Sequence, residues 1–294
     1  MNIVLKNEHL TLEADTIGAQ LRRILTKKGR DILWRGDEAY WRDSAPILFP
    51  FIGRLYEERH EVKGTSHPMT IHGFASLSRM DVAEQTQEYV LFRMSENVET
   101  LRSYPFPFQL EIGYRLCANV IEITYRVHNT GSEPLSFGIG GHPGFNVPLE
   151  EGLSFEDYEL AFMDACRPMR IGFDESILLS GRDIPYPLEE DRRLGLRHEL
   201  FDEDAIILAH TAKGVVLRAA KGAVSVKVAF PQMPYLGIWH KPRSDAPYVC
   251  IEPWSSLPGR GGVVEDFSCR SDLIHLPAGE SYCNTWTVQV SEEP

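Results

Sequence analysis

Two short segments carry the residues best suited to move protons. The first is Gly138-Ile139-Gly140-Gly141-His142-Pro143-Gly144-Phe145-Asn146, where three glycines precede a His-Pro pair at the end of an apolar run. Glycine lets backbone approach a ligand closely, and Pro143 pushes His142 toward an extended conformation. An imidazole on such a turn is placed for acid–base work near neutral pH. The same turn equally suits a histidine that only caps hydrogen bonds. The second segment is Tyr248-Val249-Cys250-Ile251-Glu252-Pro253-Trp254. A carboxylate at the end of an apolar strand is partly desolvated, which raises its pKa and makes it a usable base. The structural alternative is an ion pair between Glu252 and an arginine.

Two further segments add polar and aromatic groups. Thr70-Ile71-His72-Gly73-Phe74 follows Phe49-Pro50-Phe51-Ile52-Gly53-Arg54. Arg54 could hold a hydroxyl or the carboxylate of Glu252, and His72 again adjoins a glycine. In Leu236-Gly237-Ile238-Trp239-His240-Lys241-Pro242, Trp239 could line a pocket and Lys241 could bind an anionic group. Trp254 offers a flat apolar face of the kind that stacks on a sugar ring. A surface arginine, a turn histidine and a core tryptophan are the plain alternatives.

Spacing removes several chemistries. HExxH, GxSxG, GxGxxG, the P-loop and CxxC are all missing, which leaves zincins, the hydrolase elbow, nucleotide sites and zinc ribbons without support. His67 and His72 are five apart with no matching carboxylate nearby, so no metal site is expected. A two-carboxylate glycosidase stays open, because Asp and Glu are abundant and spacing cannot choose a pair.

The elements that must position these groups are mostly strands. Leu110–Leu116, Val120–Asn129, Leu135–Ile139, Val215–Ala219, Val224–Phe230, Tyr248–Ile251 and Thr285–Val290 read as strands, many with turn residues between them. Within Val120–Asn129, Ile121, Ile123, Tyr125 and Val127 alternate with polar residues, the pattern of a half-buried strand. Glu99–Tyr104 suits one helical turn stopped by Pro105, His198–Ala209 is ambiguous, and Glu150–Arg197 reads as long loops. The expected fold is all-β, a large antiparallel sandwich with few short helices, formed as one domain over residues 1–294.

Composition agrees with a globular chain: 294 residues, 43% hydrophobic and 24% charged. Thirty basic against 42 acidic residues give a net charge of −12, which argues against nucleic acid or an anionic membrane as partner. The five cysteines are odd in number and widely spaced, and no stretch has the length of a membrane span. The start MNIVLKNEHLTLEAD lacks a signal-peptide core. A reducing, cytoplasmic location is expected.

In this order, the segments resemble the aldose 1-epimerase (galactose mutarotase-like) family, in particular its short, divergent bacterial members. The resemblance runs nearly end to end. It rests on Gly53-Arg54-Leu55, Ile71-His72-Gly73-Phe74, Tyr104-Pro105-Phe106-Pro107-Phe108, Gly141-His142-Pro143-Gly144-Phe145-Asn146, Leu236-Gly237-Ile238-Trp239 and Cys250-Ile251-Glu252-Pro253-Trp254. The resemblance implies a mutarotase-type supersandwich with no metal and no organic cofactor. It implies interconversion of the α and β anomers of a hexose or related aldose. It makes His142 the acid that protonates the ring oxygen and Glu252 the base that takes the C1 hydroxyl proton. Arg54, His72 and Asp204 are implied as sugar-binding residues, and Trp239 joins them as a pocket wall.

The chain departs from the typical galactose enzyme. Gly53 stands where that enzyme has Asn before the arginine, and Phe74 replaces the second glycine after the histidine. These differences bear on which sugar fits. The alternatives are a hexose 6-phosphate 1-epimerase, with Lys241, Arg243 and Arg79 as phosphate ligands, and a catalytically idle carbohydrate-binding protein. The expected partner is a small sugar, and the chain is expected as a monomer or homodimer.

Overall fold

The computed structural model describes residues 1–292. Its longest hairpin pairs Phe108–Cys117 with Val120–Asn129, and Val120–Asn129 pairs in turn with Ser281–Glu292. The alternation in Val120–Asn129 sets which side chains go inward: Ile121, Ile123, Tyr125 and Val127 are fully buried. On the opposite face Arg126 joins Arg93 around Glu111, at 2.9 and 2.7 Å. These strands are the middle of a nine-stranded antiparallel sheet.

A second, eight-stranded sheet holds Ile206–Ala209, Tyr235–Trp239, Tyr248–Trp254, Gly140–Gly141, Gly144–Asn146 and Ile47–Leu48. Leu236, Ile238, Val249 and Ile251 of this sheet share one continuous apolar core with Ile121, Ile123, Tyr125, Val127 and Trp286 of the first. Two antiparallel sheets packed through one core make the molecule the all-β sandwich that its strand pattern predicts.

Three local readings need adjustment. Glu150–Arg197 is not only loops, because Tyr158–Phe162 joins the large sheet with Tyr158, Leu160 and Phe162 turned inward. His198–Ala209 resolves into a 3-10 turn, His198–Phe201, and a buried strand, Ile206–Ala209. Leu135–Ile139 ends earlier, at Phe137. The expected helical turn is Val98–Ser103. The Asn97 side chain caps it by accepting from the Glu99 and Thr100 N–H groups. All five cysteines are free, and no helix among the described residues is long and apolar enough to cross a membrane.

Candidate active site

The strand Tyr248–Trp254 runs between Tyr235–Trp239 and the glycine-rich segment. Gly140 faces Trp254, Gly144 faces Cys250, and between them the Ile251 N–H donates to the Pro143 carbonyl at 3.1 Å. That register sets His142 opposite Glu252. On the other flank Gly237 faces Glu252. Gly237, Glu252 and His142 therefore form one row across three adjacent strands. Facing residues of an antiparallel ladder are immediate neighbours. Accordingly His142 Nε2 lies 3.3 Å from Glu252 Oε2.

Strand alternation separates chemistry from core. Residues Trp239, Glu252, Trp254 and His142 face a cavity, whereas Leu236, Ile238, Val249 and Ile251 go into the core. The cavity has a volume of about 460 Å³, within the usual range for a small-molecule site. All six residues singled out from the sequence line it: Arg54, His72, His142, Asp204, Trp239 and Glu252. Trp254, marked as a stacking surface, lines it too.

The His142–Glu252 pair is almost dry. Glu252 is 1% exposed and His142 9%. Burial pushes the Glu252 carboxyl well above its ordinary range, and the charge of Asp204 adds to the effect. The Trp254 indole N–H, near the carboxyl but not aligned as a full hydrogen bond, works the other way. Burial also pushes His142 well below its ordinary value, helped by His72. Both groups are thus driven toward their uncharged forms.

Three non-glycine lining residues sit in the left-handed backbone region, His72 at φ 64°, Ile177 at φ 59° and Asp204 at φ 77°. Non-glycine residues adopt it rarely, and then often at sites. His72 Nδ1 accepts from the Gly53 N–H at 3.1 Å, so the proton of the neutral ring is assigned to Nε2. Burial and then the Arg54 charge hold His72 down at about 4. The glycine at position 53 has a local cause: its φ is 74°, and a Cβ there would lie 2.5 Å from Pro258 Cγ.

Some sequence readings are corrected by the geometry. Arg54 makes no ion pair with Glu252 among the described residues; its side chain is exposed at the cavity wall. The Lys241 ammonium is not turned to an anion but donates to the Ala39 carbonyl at 2.7 Å. Arg243 lines a neighbouring cavity with Arg170 and Arg182, and Arg79 bridges to Ile17 elsewhere. The three cations considered as phosphate ligands are therefore not assembled at the pair.

The structure also adds a residue that the sequence reading passed over. Trp41 packs on the His142 ring at 4.9 Å and 30°, while Trp239 meets the same ring edge-on at 5.6 Å. The loop of Trp41 is tied down by the Lys241–Ala39 bond and by Tyr40 Oη donating to Asp245 Oδ1 at 2.9 Å. The only signal in the sequence is an adjacent aromatic pair, Tyr40-Trp41, inside a polar loop. Cys250 lies two residues before Glu252 on the same strand. One ligand atom each of Cys250, His142 and Glu252 fall within 4.8 Å of one another.

Comparison with known proteins agrees with this fold. Residues 1–282 match the family described as aldose 1-epimerase. Protein LacX of Lactococcus lactis subsp. lactis is 34% identical over 278 residues, covering 90% of this chain and 92% of that protein. A galactose mutarotase related enzyme from Lactobacillus acidophilus superposes with a TM-score of 0.95 at 28% identity, over the full length of both chains. A galactose mutarotase-like protein from Lactobacillus casei does so at 0.92 and 29%, over 99% of this chain and 100% of that one. The chain belongs to the aldose 1-epimerase family.

Proposed function

We propose that the protein is an aldose 1-epimerase that interconverts the anomers of a free aldose through the pair His142–Glu252. The observation that carries this reading is the 3.3 Å approach of two buried titratable groups in one cavity. Anomer exchange needs one proton delivered to the ring oxygen and one removed from the C1 hydroxyl. Those two oxygens share one carbon, so the donor and the acceptor must also be close neighbours.

The pair requires one shared proton. In the free protein burial favours the proton on Glu252 and a neutral His142. Transfer across the gap gives an imidazolium beside a carboxylate, whose opposite charges stabilise each other where water is excluded. His142 then protonates the ring oxygen while Glu252 takes the hydroxyl proton. The ring opens, C1 turns about the C1–C2 bond, and the groups exchange roles to close the other anomer. Each transfer contributes roughly 10²–10⁴-fold. Arg54, His72 and Asp204 hold the sugar hydroxyls, and Trp239 and Trp254 give the ring apolar faces.

Saturation-transfer NMR on fresh α-glucose, α-galactose and a broad aldose panel tests the proposal. Acceleration of anomer exchange on at least one sugar is expected. No acceleration across the panel sinks it and leaves sugar binding without turnover as the reading.

A further inference from the structure

We propose that His142, Cys250 and Glu252 form a three-ligand site for a zinc-type divalent cation, and that the bound ion switches the acid–base pair off. The binding claim stands without the proton-transfer reading; only the inhibition rests on it.

The ladder brings the three ligands together. Cys250 and Glu252 are two residues apart on one strand, so their side chains share a face. His142 stands opposite Glu252 on the next strand. All three are buried, and one ligand atom of each lies within 4.8 Å of the other two.

The spacing suits zinc. Two N or O ligands of a tetrahedral zinc, bound at about 2.0–2.1 Å, are about 3.3 Å apart. His142 Nε2 and Glu252 Oε2 stand at 3.3 Å. Sulfur binds at about 2.3 Å and then sits about 3.6 Å from each other ligand. Cys250 Sγ therefore needs to move inward by little more than 1 Å. Three protein ligands leave a fourth position on the side of the cavity that His142 and Glu252 line.

Charge and ligand type point the same way. A thiolate and a carboxylate carry two negative charges, and a dication leaves the buried site neutral. Isolated buried charges are costly, so this balance matters. Ligation releases two protons to solvent, that of the thiol and the one shared by Glu252 and His142, and occupies the carboxylate and an imidazole nitrogen together. A thiolate–imidazole set selects zinc or cadmium and disfavours magnesium, which takes oxygen ligands. Sulfur fixes the class of ion here.

The test is a titration of the chelator-treated full chain with Cd²⁺ in a non-thiol reductant, reading cadmium–thiolate ultraviolet absorption and stoichiometry. Cys250→Ala and His142→Ala are compared with the unmodified chain, with folding checked by circular dichroism. Because Cys117, Cys269 and Cys283 are exposed, the reading is the difference between proteins. The expected result is one tight site in the unmodified chain, weakened at least about 100-fold in both variants, since loss of even an outer-shell partner costs 10–100-fold. A hundredfold excess of Mg²⁺ is expected not to displace the ion. Zn²⁺ is expected to abolish anomer exchange at one equivalent. Equal thiolate absorption in the unmodified chain and Cys250→Ala, or affinity unchanged in His142→Ala, overturns the site. Anomer exchange that persists at full occupancy overturns the switch alone.

Discussion

Replacing Glu252 by Gln separates the proton-transfer role of this side chain from its place in the fold. The amide has nearly the same shape, is uncharged like the carboxyl that burial favours, and keeps one oxygen acceptor. The strand around it is buried throughout, so the backbone has no reason to move. What is lost is a group able to take a proton. General base catalysis contributes roughly 10²–10⁴-fold, equal to about 3–5 kcal/mol of barrier at 1.36 kcal/mol per tenfold. The rate constant for anomer exchange is therefore expected to fall by that factor, with thermal stability held or slightly raised. Glu252→Asp gives an independent scale. It withdraws the carboxyl by about one bond length, ~1.5 Å, and a misplacement of about 1 Å costs on the order of 10². The aspartate is expected to lose at least about 10²-fold while keeping a base. Polarimetry on fresh α-sugar, with saturation-transfer NMR for the fast regime, measures all three proteins. A glutamine variant within threefold of the parent would falsify the assignment of Glu252 as the base.

Other expectations follow from the same geometry. Trp41→Leu removes a ring contact worth roughly 0.5–1.5 kcal/mol; turnover should drop about 2–10-fold, and the His142 titration, followed by NMR, should move up toward its ordinary value as water reaches the ring. Gly141→Ala places a Cβ 2.7 Å from the Trp286 ring; overpacking of this kind costs about 1–3 kcal/mol, so calorimetry should show a lower Tm, and turnover should fall because His142 is the next residue. His60 and His240 are fully buried, and burial holds both at about 4. Between pH 6.5 and 4 the unfolded chain binds protons that the folded chain refuses, so stability is complete above 6.5 and is lost as pH falls through that window, by up to about 3 kcal/mol per histidine. Urea midpoints at pH 7.5 and 5 measure this, and an unchanged midpoint would show that the two rings take up protons in the native state.

How much of this was legible in the residues depends on range. The strand of Ile121, Ile123, Tyr125 and Val127 is local information: alternation alone names its inward face, and the structure agrees. Tyr158–Phe162 has the same alternation over only five residues, between acidic stretches that mask it. Glu252 stands out because it sits in an apolar strand where a polar group is unexpected, and His142 because it follows a glycine-rich stretch and precedes a proline. Their adjacency is not local information. It comes from pairing strands more than a hundred residues apart, and the family resemblance supplied it in advance. Lys241 shows the opposite limit. Its charge suggested an anion, whereas its role is to fasten the Trp41 loop through a carbonyl, and no residue type announces a backbone partner. Trp41 itself reaches His142 from a loop without periodicity.

The row Gly237–Glu252–His142 has a kinetic consequence. Gly237 and Glu252 belong to neighbouring strands, but His142 comes from more than a hundred residues before Glu252, and contacts of long sequence separation are slow to form because loop closure must come first. The hairpin of Phe108–Cys117 and Val120–Asn129 is local and can form early. A refolding chain can thus gain sheet signal from its local hairpins before the histidine and the glutamate meet. Recovered catalytic rate then serves as a late clock of folding, trailing circular dichroism, and the lag between the two measures how long the eight-stranded sheet takes to close.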